Sequence, residues 1–276
     1  MNMLNRIKAY LWQNQLSGYL MTFASYIKNY VVRQVFFYIK IYFLKKYNIY
    51  SDYSNINAYK NKYHGERCFI LATGPSLTIQ DVSRLKDEYT FGMNSICLLF
   101  DKLGWETTFY GVQDTGVYLK LKEYYFNFKK TTLFLGDGLP LKGRDVPNHI
   151  PFSINYLDHK HSYKKLNTQF SLDASNFVYD GYTITYSLIQ IAVFMGFKEI
   201  YLLGNDCSYS KDPKKQHFAD FGHVDSSTLT ARDRILFAYQ YAKDYLANTD
   251  VKIFNATRGG ALEIFPRVDF DNINFK

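Results

Sequence analysis

Cysteine and histidine are scarce in this sequence and form no recognisable site. The 276 residues include three cysteines, Cys68, Cys97 and Cys207, without a C-x-x-C pair or a metal-binding spacing. The six histidines form no H-E-x-x-H pattern or similar cluster. We therefore expect reduced, mostly buried thiols, as in a cytoplasmic protein, and no metal site.

Acidic residues are missing from the first 50 positions, which carry seven basic ones. The whole chain holds 33 Lys and Arg against 25 Asp and Glu, so the remainder has 26 basic and 25 acidic residues. A nearly neutral remainder argues against extended binding to a nucleic-acid backbone. Almost all of the net charge of +8 therefore belongs to the N-terminal segment.

The N-terminal segment also lacks a convincing transmembrane span. Its uncharged stretch, residues 9–27, contains Gln13, Asn14 and other polar residues. We expect no signal peptide, because no cleavage site follows a short apolar core. Aromatic residues beside basic ones are typical of helices on an anionic membrane surface. We predict that residues 1–50 form a basic amphipathic helical segment on the inner face of the cytoplasmic membrane; a helix packed on the domain and an oligomer contact are the alternatives.

Beyond residue 60, short apolar runs alternate with helical stretches. This alternation predicts an α/β domain over residues 65–276, with a mostly parallel sheet covered by helices on both faces, joined to the N-terminal segment by a linker at 51–64. Strands are predicted at 67–72, 89–93, 107–112, 131–135, 175–179, 199–204 and 251–254. Helices are predicted at 78–86, 94–103, 115–127, 182–196 and 228–247. The glycine- and proline-containing region 136–174 is predicted to form loops over one edge.

Three predicted strands run into turns of small and polar residues. The first turn is Thr73-Gly74-Pro75-Ser76, which matches neither a G-x-G-x-x-G fingerprint nor a P-loop. Asp206 follows the strand at 199–204, and Arg258 lies in the glycine-containing turn after 251–254. Carboxyl ends of parallel strands share one edge of a sheet, so these turns predict a ligand site there; ordinary turns are the alternative.

Two further stretches suggest a nucleotide enzyme. Gly181-Tyr182-Thr183 precedes a helix, and small residues at a helix start allow a phosphate or ribose to approach the N-terminus. Ordinary capping of a buried helix is the alternative. His223 lies in a charged loop, where it is a candidate general base or a plain surface histidine.

The order of these motifs resembles bacterial lipooligosaccharide sialyltransferases over about residues 65–265. The motifs are Ala72-Thr73-Gly74-Pro75-Ser76, Gly92-Met93-Asn94, Asp180-Gly181-Tyr182-Thr183, Gly196 to Asp206, and Phe221-Gly222-His223. The chain is similar too to flagellin-modifying Maf glycosyltransferases and to archaeal pterin diphosphokinase-like proteins. These share the first turn and an Asn-x-Thr-x-Gly-Gly turn like Asn255 to Gly260.

The resemblance implies a modified GT-A, Rossmann-like domain and an inverting glycosyltransferase. Its donor would be a CMP-activated sialic or related nonulosonic acid, with no metal and no further cofactor. Its acceptor would be a hydroxyl group of a lipid-linked or surface glycan, in the synthesis of O-antigen, capsule or lipooligosaccharide. The alternatives are an ATP-dependent enzyme of the pterin diphosphokinase type and a non-enzymatic membrane-surface protein.

The resemblance also implies roles for individual residues. Thr73 to Ser76 would border the donor phosphate and ribose, Asn94 would hold the nucleotide or sugar, and Gly181 to Thr183 would flank the cytidine. His223 corresponds to the catalytic base, and Tyr209 to a tyrosine that stabilises the departing phosphate.

The chain departs from the sialyltransferase pattern in two ways. Only Tyr209 matches one of two expected phosphate-facing tyrosines, and Arg258 or Lys211 is the candidate replacement for the other. Arg258 also occupies a place where diphosphokinase-like relatives more often carry an acid, which favours a sugar donor. Asp206 and Arg258 complete the predicted donor site.

Overall fold

The computed structural model describes residues 15–47, 51–139, 146, 149–156, 168–208 and 228–276. The chain divides into two compact units, residues 1–50 and residues 51–276. The boundary coincides with the end of the acid-free segment of the sequence. The described part of the smaller unit is helical, and the larger unit is an α/β domain.

The N-terminal unit is helical over residues 15–46. Helix α1 (Gln15–Tyr26) continues through a π-helical stretch (Ile27–Val32) into α2 (Arg33–Lys46). Within the described ranges, no helix combines the length and the hydropathy needed to cross a membrane. The predicted helical character of this segment is therefore confirmed over these residues.

Nine strands occur in the described part of the domain. They are β1 (Arg67–Leu71), β2 (Tyr89–Met93), β3 (Phe109–Val112), β4 (Thr132–Gly136), β5 (His149–Phe152), β6 (Ile154–Asn155), β7 (Val178–Tyr179), β8 (Glu199–Leu203) and β9 (Lys252–Asn255). The α-helices are α3 (Ile79–Ser83), α4 (Phe100–Leu103), α5 (Thr115–Phe126), α6 (Ile184–Phe194) and α7 (Thr228–Leu246). Short 3₁₀ helices lie at Ser51–Tyr59, Asn94–Leu99 and Phe270–Asn272.

The strand order places a reversal of direction at β1. Seven of the described strands form one sheet in the order β5-β4-β3-β2-β1-β8-β9, and every described pair is parallel. From β1 the chain builds strands outward to β5, then returns to the other side of β1 with β8. Parallel α/β sheets bind ligands outside the carboxyl ends of the strands at such a reversal.

Both faces of the sheet are covered, as predicted. Side chains alternate along a strand, so Cys68 and Ile70 of β1 belong to one hydrophobic core, and Phe69 and Leu71 belong to another. The first core includes α6 and α7, and the second includes α5. This two-sided burial explains why the strands read as continuous apolar runs.

The region predicted as loops contains strands β5 and β6. β5 pairs with β4 at the edge of the sheet, and its Pro151 lies opposite Leu135. Proline lacks an N–H group but is tolerated in an edge strand, so Pro151 was a misleading loop signal. The predicted strand at 175–179 shrinks to β7, which pairs with β6 in a separate two-stranded sheet.

The segment predicted as a linker, 51–64, packs against the domain. Ile56 is 1% exposed, and the Tyr63 ring stacks on Phe197 with centroids 5.0 Å apart. The Tyr63 N–H also donates to the Met195 carbonyl oxygen at 2.8 Å. Polar composition suggested a linker, but three spaced apolar side chains, including Tyr59, anchor the segment to the core.

Candidate active site

The turns after β1, β8 and β9 are in direct contact at the reversal of strand order. The Gly74 N–H donates to the Gly204 carbonyl oxygen at 2.8 Å, which joins the first two turns. The Ala261 N–H donates to the Asp206 carbonyl oxygen at 2.6 Å, which joins the third turn to the second. The predicted convergence of these turns on one edge of the sheet is therefore confirmed.

The Asp206 carboxylate holds the first turn against the end of β8. Its Oδ2 accepts hydrogen bonds from Ser76 Oγ at 2.9 Å and from the Ser76 N–H at 3.4 Å. Asp206 is only 7% exposed, and burial raises the pKa of its carboxyl group although the bonds from Ser76 oppose that rise. This carboxylate thus joins the turn after β1 to the turn after β8. Its predicted contact with a donor stays a prediction.

Close packing of the turns explains two of their glycines. A Cβ atom on Gly74 would lie 1.8 Å from Asp206 Oδ2 and 2.5 Å from the Gly204 carbonyl oxygen. Gly260 has a φ of +74°, and its Cβ would lie 2.7 Å from the Asp206 carbonyl oxygen. Both positions therefore exclude a side chain.

The first turn uses its own N–H groups internally. Gly74 donates to Gly204, Ser76 to Asp206, and Leu77 to the Gly74 carbonyl oxygen at 3.2 Å, while Pro75 has no N–H group. These donors are therefore engaged within the protein. They therefore do not form an anion-binding nest of free N–H groups.

Left-handed backbone conformations mark three residues near this edge. Asn94, Tyr182 and Cys207 have φ angles of +49°, +68° and +49°. The conformation is uncommon for non-glycine residues and, for a bulky residue such as Tyr182, indicates strain of the kind that clusters at functional sites. The Asn94 carbonyl oxygen accepts from Tyr110 Oη at 2.5 Å, whereas its side-chain amide makes no hydrogen bond to any residue that the structure describes.

The start of α6 lies beside the end of β2. Gly181 and Tyr182 turn the chain with positive φ, and Thr183 caps the helix by accepting from the Thr185 N–H at 3.4 Å. Thr185 Oγ1 in turn donates to Met93 Sδ at 3.5 Å, next to Asn94. The positive end of the α6 dipole is thereby positioned near Asn94.

A family model described as 6-hydroxymethylpterin diphosphokinase MptE-like matches residues 42–212, well over half of the chain. The chain belongs to the MptE-like family. Its fold is similar to that of a Maf glycosyltransferase from Magnetospirillum magneticum AMB-1, with a TM-score of 0.53 and 18% identity. That match covers 82% of this chain but only 39% of the Maf chain.

A second similar structure is the sialyltransferase CstII from Campylobacter jejuni in complex with the substrate analogue CMP-3FNeuAc. It matches with a TM-score of 0.46 and 17% identity, covering 76% of this chain and 89% of that one. No curated protein sequence matches the chain. The resemblance seen in the motifs to pterin diphosphokinase-like proteins is confirmed by the family match, and the Maf structure shows a shared fold.

Sequence reasoning missed a polar cluster in this MptE-like protein, at the ends of β3 and β4. Tyr156 Oη donates to the Gln113 carbonyl oxygen at 3.4 Å. Burial, and then the nearby Asp137, Asp180 and Asp114 carboxylates, raise the pKa of the Tyr156 hydroxyl. Tyr156 was not predicted as a site residue because it lies in the region 136–174, which was predicted to form loops. However, the polar residues directly after the predicted strands at 107–112 and 131–135 were a usable signal for Gln113 and the carboxylates.

Arg258 is held in an ion-pair cluster. Its Nε lies 3.0 Å from Asp81 Oδ2, and its Nη1 and Nη2 lie 2.8 and 2.7 Å from the two carboxylate oxygens of Asp271. Arg84 pairs with the same Asp271 at 2.7 Å. All three guanidinium nitrogens therefore already bind carboxylates, and the predicted role of Arg258 in donor binding would require these pairs to open.

Several predicted residues fall outside the described ranges, namely His223, Tyr209 and Lys211. Their roles stay predictions.

No group of three or more His, Cys, Asp or Glu side chains arranged to hold a metal occurs among the residues that are described. All three cysteines are free and buried, as predicted, and burial raises the pKa of Cys207 to about 12.

A cavity of about 380 Å³ opens at the opposite edge of the sheet. It lies at the amino ends of β4 and β5, where Tyr59, Lys130 and His149 contribute to its wall. None of the predicted site residues lines it. The carboxyl edge, where the turns converge, remains the candidate active site.

Proposed function

We propose that this MptE-like protein is an inverting glycosyltransferase with a CMP-activated sialic or related nonulosonic acid as donor. The observation that carries the proposal is the convergence of the turns after β1, β8 and β9 at the reversal of strand order, with Asn94 and the start of α6 at the same edge of the sheet. The fold shared with a Maf glycosyltransferase and the order of the sequence motifs support it.

The geometry suggests which groups would receive the nucleotide. The N–H groups of the first turn are engaged internally, so the phosphate would lie at the N-terminus of α6, where the helix dipole favours an anion. The side-chain amide of Asn94 points to no described partner and can donate to the phosphate or the sugar. The first turn would then limit the site on its other side.

The proposed chemistry is a single displacement. An oxygen of the acceptor hydroxyl forms a bond to the anomeric carbon while the bond from that carbon to the CMP phosphate oxygen breaks. His223 accepts the hydroxyl proton, and CMP leaves with the bonding electron pair. Tyr209 would donate a hydrogen bond to the departing phosphate as its charge grows. We propose a lipid-linked or surface glycan as the acceptor.

The second candidate is transfer of diphosphate from ATP to a hydroxymethylpterin. The description of the matched family favours it. Such an enzyme would also bind a nucleotide at the same edge of the sheet, but it would need ATP and Mg²⁺. The nucleotide that binds therefore separates the two functions.

A thermal-shift panel of CMP, CDP, UDP, GDP and ATP, each with and without Mg²⁺, makes that separation. We expect CMP to raise the melting midpoint of the full chain without Mg²⁺, because a ligand that binds only the folded state stabilises it. Stabilisation by ATP with Mg²⁺ and indifference to CMP would instead select the diphosphokinase.

The proposed base is tested by His223→Ala. We expect this variant to keep CMP binding but to lose CMP release from CMP-sialic acid in the presence of lipooligosaccharide, because the acceptor proton then has no base. His64→Ala is the matched control, since His64 is exposed and precedes β1 at the opposite edge of the sheet. Full activity in His223→Ala would remove His223 from the mechanism.

A further inference from the structure

Helix α2 exposes a broad apolar face. Val35, Phe36, Ile39, Tyr42 and Phe43 are between 45% and 67% exposed. At about 100° per residue, these five side chains fall within an arc of about 120° centred on Ile39. An exposed apolar face of this size on a folded protein indicates a binding surface.

The opposite face of α2 is the covered one. Ile41 is buried, and Gln34, Phe37 and Leu44 are half-buried. These four positions lie on the far side of the helix from Ile39, by the same rotation of about 100° per residue. The two faces of α2 therefore differ in exposure, and the face centred on Ile39 is the exposed one.

Basic residues flank the open face on both sides. Arg33 and Lys40 lie beyond one margin of the apolar arc, and Lys45 lies beyond the other, while Lys46 closes its C-terminal end. Lys46 Nζ also lies 5.4 Å from the centre of the Tyr42 ring. Long basic side chains at the margins of an apolar face can extend to lipid headgroups while their stems stay in contact with apolar surface.

We propose that α2 lies in the plane of an anionic lipid surface, with the face centred on Ile39 inserted at the boundary between headgroups and acyl chains. Charge complementarity selects this occupant. The first 50 residues contain seven basic and no acidic residues, so two copies of this segment placed face to face would bring only like charges together. Anionic lipid supplies both the negative charge and the apolar layer that the face requires.

The proposal is independent of the donor and of the reaction. It is tested by flotation of the full chain with phosphatidylcholine vesicles that contain or lack about 30% phosphatidylglycerol, a fraction that gives the strongly anionic surface attractive to basic residues. We expect binding to the anionic vesicles that weakens at high salt, without any nucleotide. No binding to anionic vesicles at low salt would overturn the proposal, whatever CMP does to the melting midpoint.

Two double variants separate the apolar and the charged contributions. Phe36→Ser with Phe43→Ser should lower partitioning at least about tenfold, because two exposed rings lose their burial in lipid. Arg33→Gln with Lys40→Gln should lower it by about 30-fold on anionic vesicles only, at about 1 kcal/mol per basic residue. Equal loss on neutral and anionic vesicles in this second variant would contradict the charge assignment.

A matched control comes from the domain. Leu119 and Phe126 on α5 are 55% and 44% exposed, so Leu119→Ser with Phe126→Ser removes similar apolar surface elsewhere. This control should bind vesicles as the wild type does. Light scattering after gel filtration tests whether a second copy of the chain covers this face instead. If the wild type formed oligomers and did not bind vesicles, and if Phe36→Ser with Phe43→Ser made it monomeric, the face would be a self-association surface and the lipid proposal would be wrong.

Discussion

Gly74→Ala is the sharpest test of how the candidate site is built. The added Cβ would lie 1.8 Å from Asp206 Oδ2, whereas carbon atoms and their neighbours in contact lie about 3.5–4.0 Å apart. The same Cβ would lie 2.5 Å from the Gly204 carbonyl oxygen, which belongs to the backbone. Rotation of the Asp206 side chain alone therefore cannot relieve the clash, and the first turn must move away from β8.

The expected loss of stability follows from the bonds that this movement breaks. Separation of Asp206 from Ser76 removes a hydrogen bond to a charged group, about 1.5–3 kcal/mol, and lengthening of the bond from Gly74 to Gly204 removes about 0.5–1.5 kcal/mol. The total is about 3 kcal/mol. For a domain of residues 51–276, this corresponds to a fall in melting midpoint of about 6–12 °C.

Differential scanning calorimetry of the full chain measures this effect, with Gly104→Ala as the control. Gly104 has a φ of +69°, and a Cβ there would meet nothing within 4 Å, so only the backbone conformation is penalised. That penalty is about 1–2 kcal/mol. If Gly74→Ala melted no lower than Gly104→Ala, the close packing of the first turn against Asp206 would be refuted. CMP stabilisation should also disappear in Gly74→Ala and persist in the control.

Two further predictions concern pH. Burial raises the folded-state pKa of Asp206 above its ordinary 3.8. Its contribution to stability is therefore present below pH 3.8 and is lost as pH rises through the folded pKa. The unfolding free energy of Asp206→Asn, measured in urea, should increase relative to that of the wild type as pH rises above about 4, and a constant difference would contradict this. Arg258, with Arg84, lowers the pKa of Asp271 from 3.8 to about 2, so this contribution is present above pH 3.8 and is lost as pH falls through about 2. Arg258→Gln should flatten the acid side of the thermal-stability profile, and an unchanged profile would show that the cluster contributes nothing.

The central strands could be predicted because their signal is local. β1 and β8 are apolar at almost every position, since both faces of the sheet are covered, and each ends at small polar residues. The edge strand β5 could not be predicted in the same way, because Pro151 is a loop signal unless its place at the edge is known. The prediction of a linker over residues 51–64 was wrong for a related reason. A few spaced apolar side chains in a polar segment do not show from the sequence alone that they pack against the domain.

For the candidate site, too, the sequence predicts some features and not others. The parallel-strand rule alone predicted that the turns holding Gly74, Asp206 and Arg258 converge, and the structure confirms that convergence. The parallel-strand rule could not predict that Asp206 accepts hydrogen bonds from Ser76 or that Asp81 and Asp271 form ion pairs with Arg258. Ser76 is 130 positions from Asp206, and Asp81 is 177 positions from Arg258. The choice among several equivalent polar groups depends on distances of a few ångströms.

The amino-acid sequence is enough to predict the class of fold, the order of most strands and helices, the family resemblance and the concentration of positive charge in the first 50 residues. These properties depend on composition and on local periodicity, which the chain carries without folding. Which polar groups at the site are already bound to one another depends on the packing of the folded chain. Ser76 and Asp206 are 130 positions apart, and their hydrogen bond exists because β1 and β8 pair side by side. The same packing engages the N–H groups of Gly74 and Ser76 within the protein.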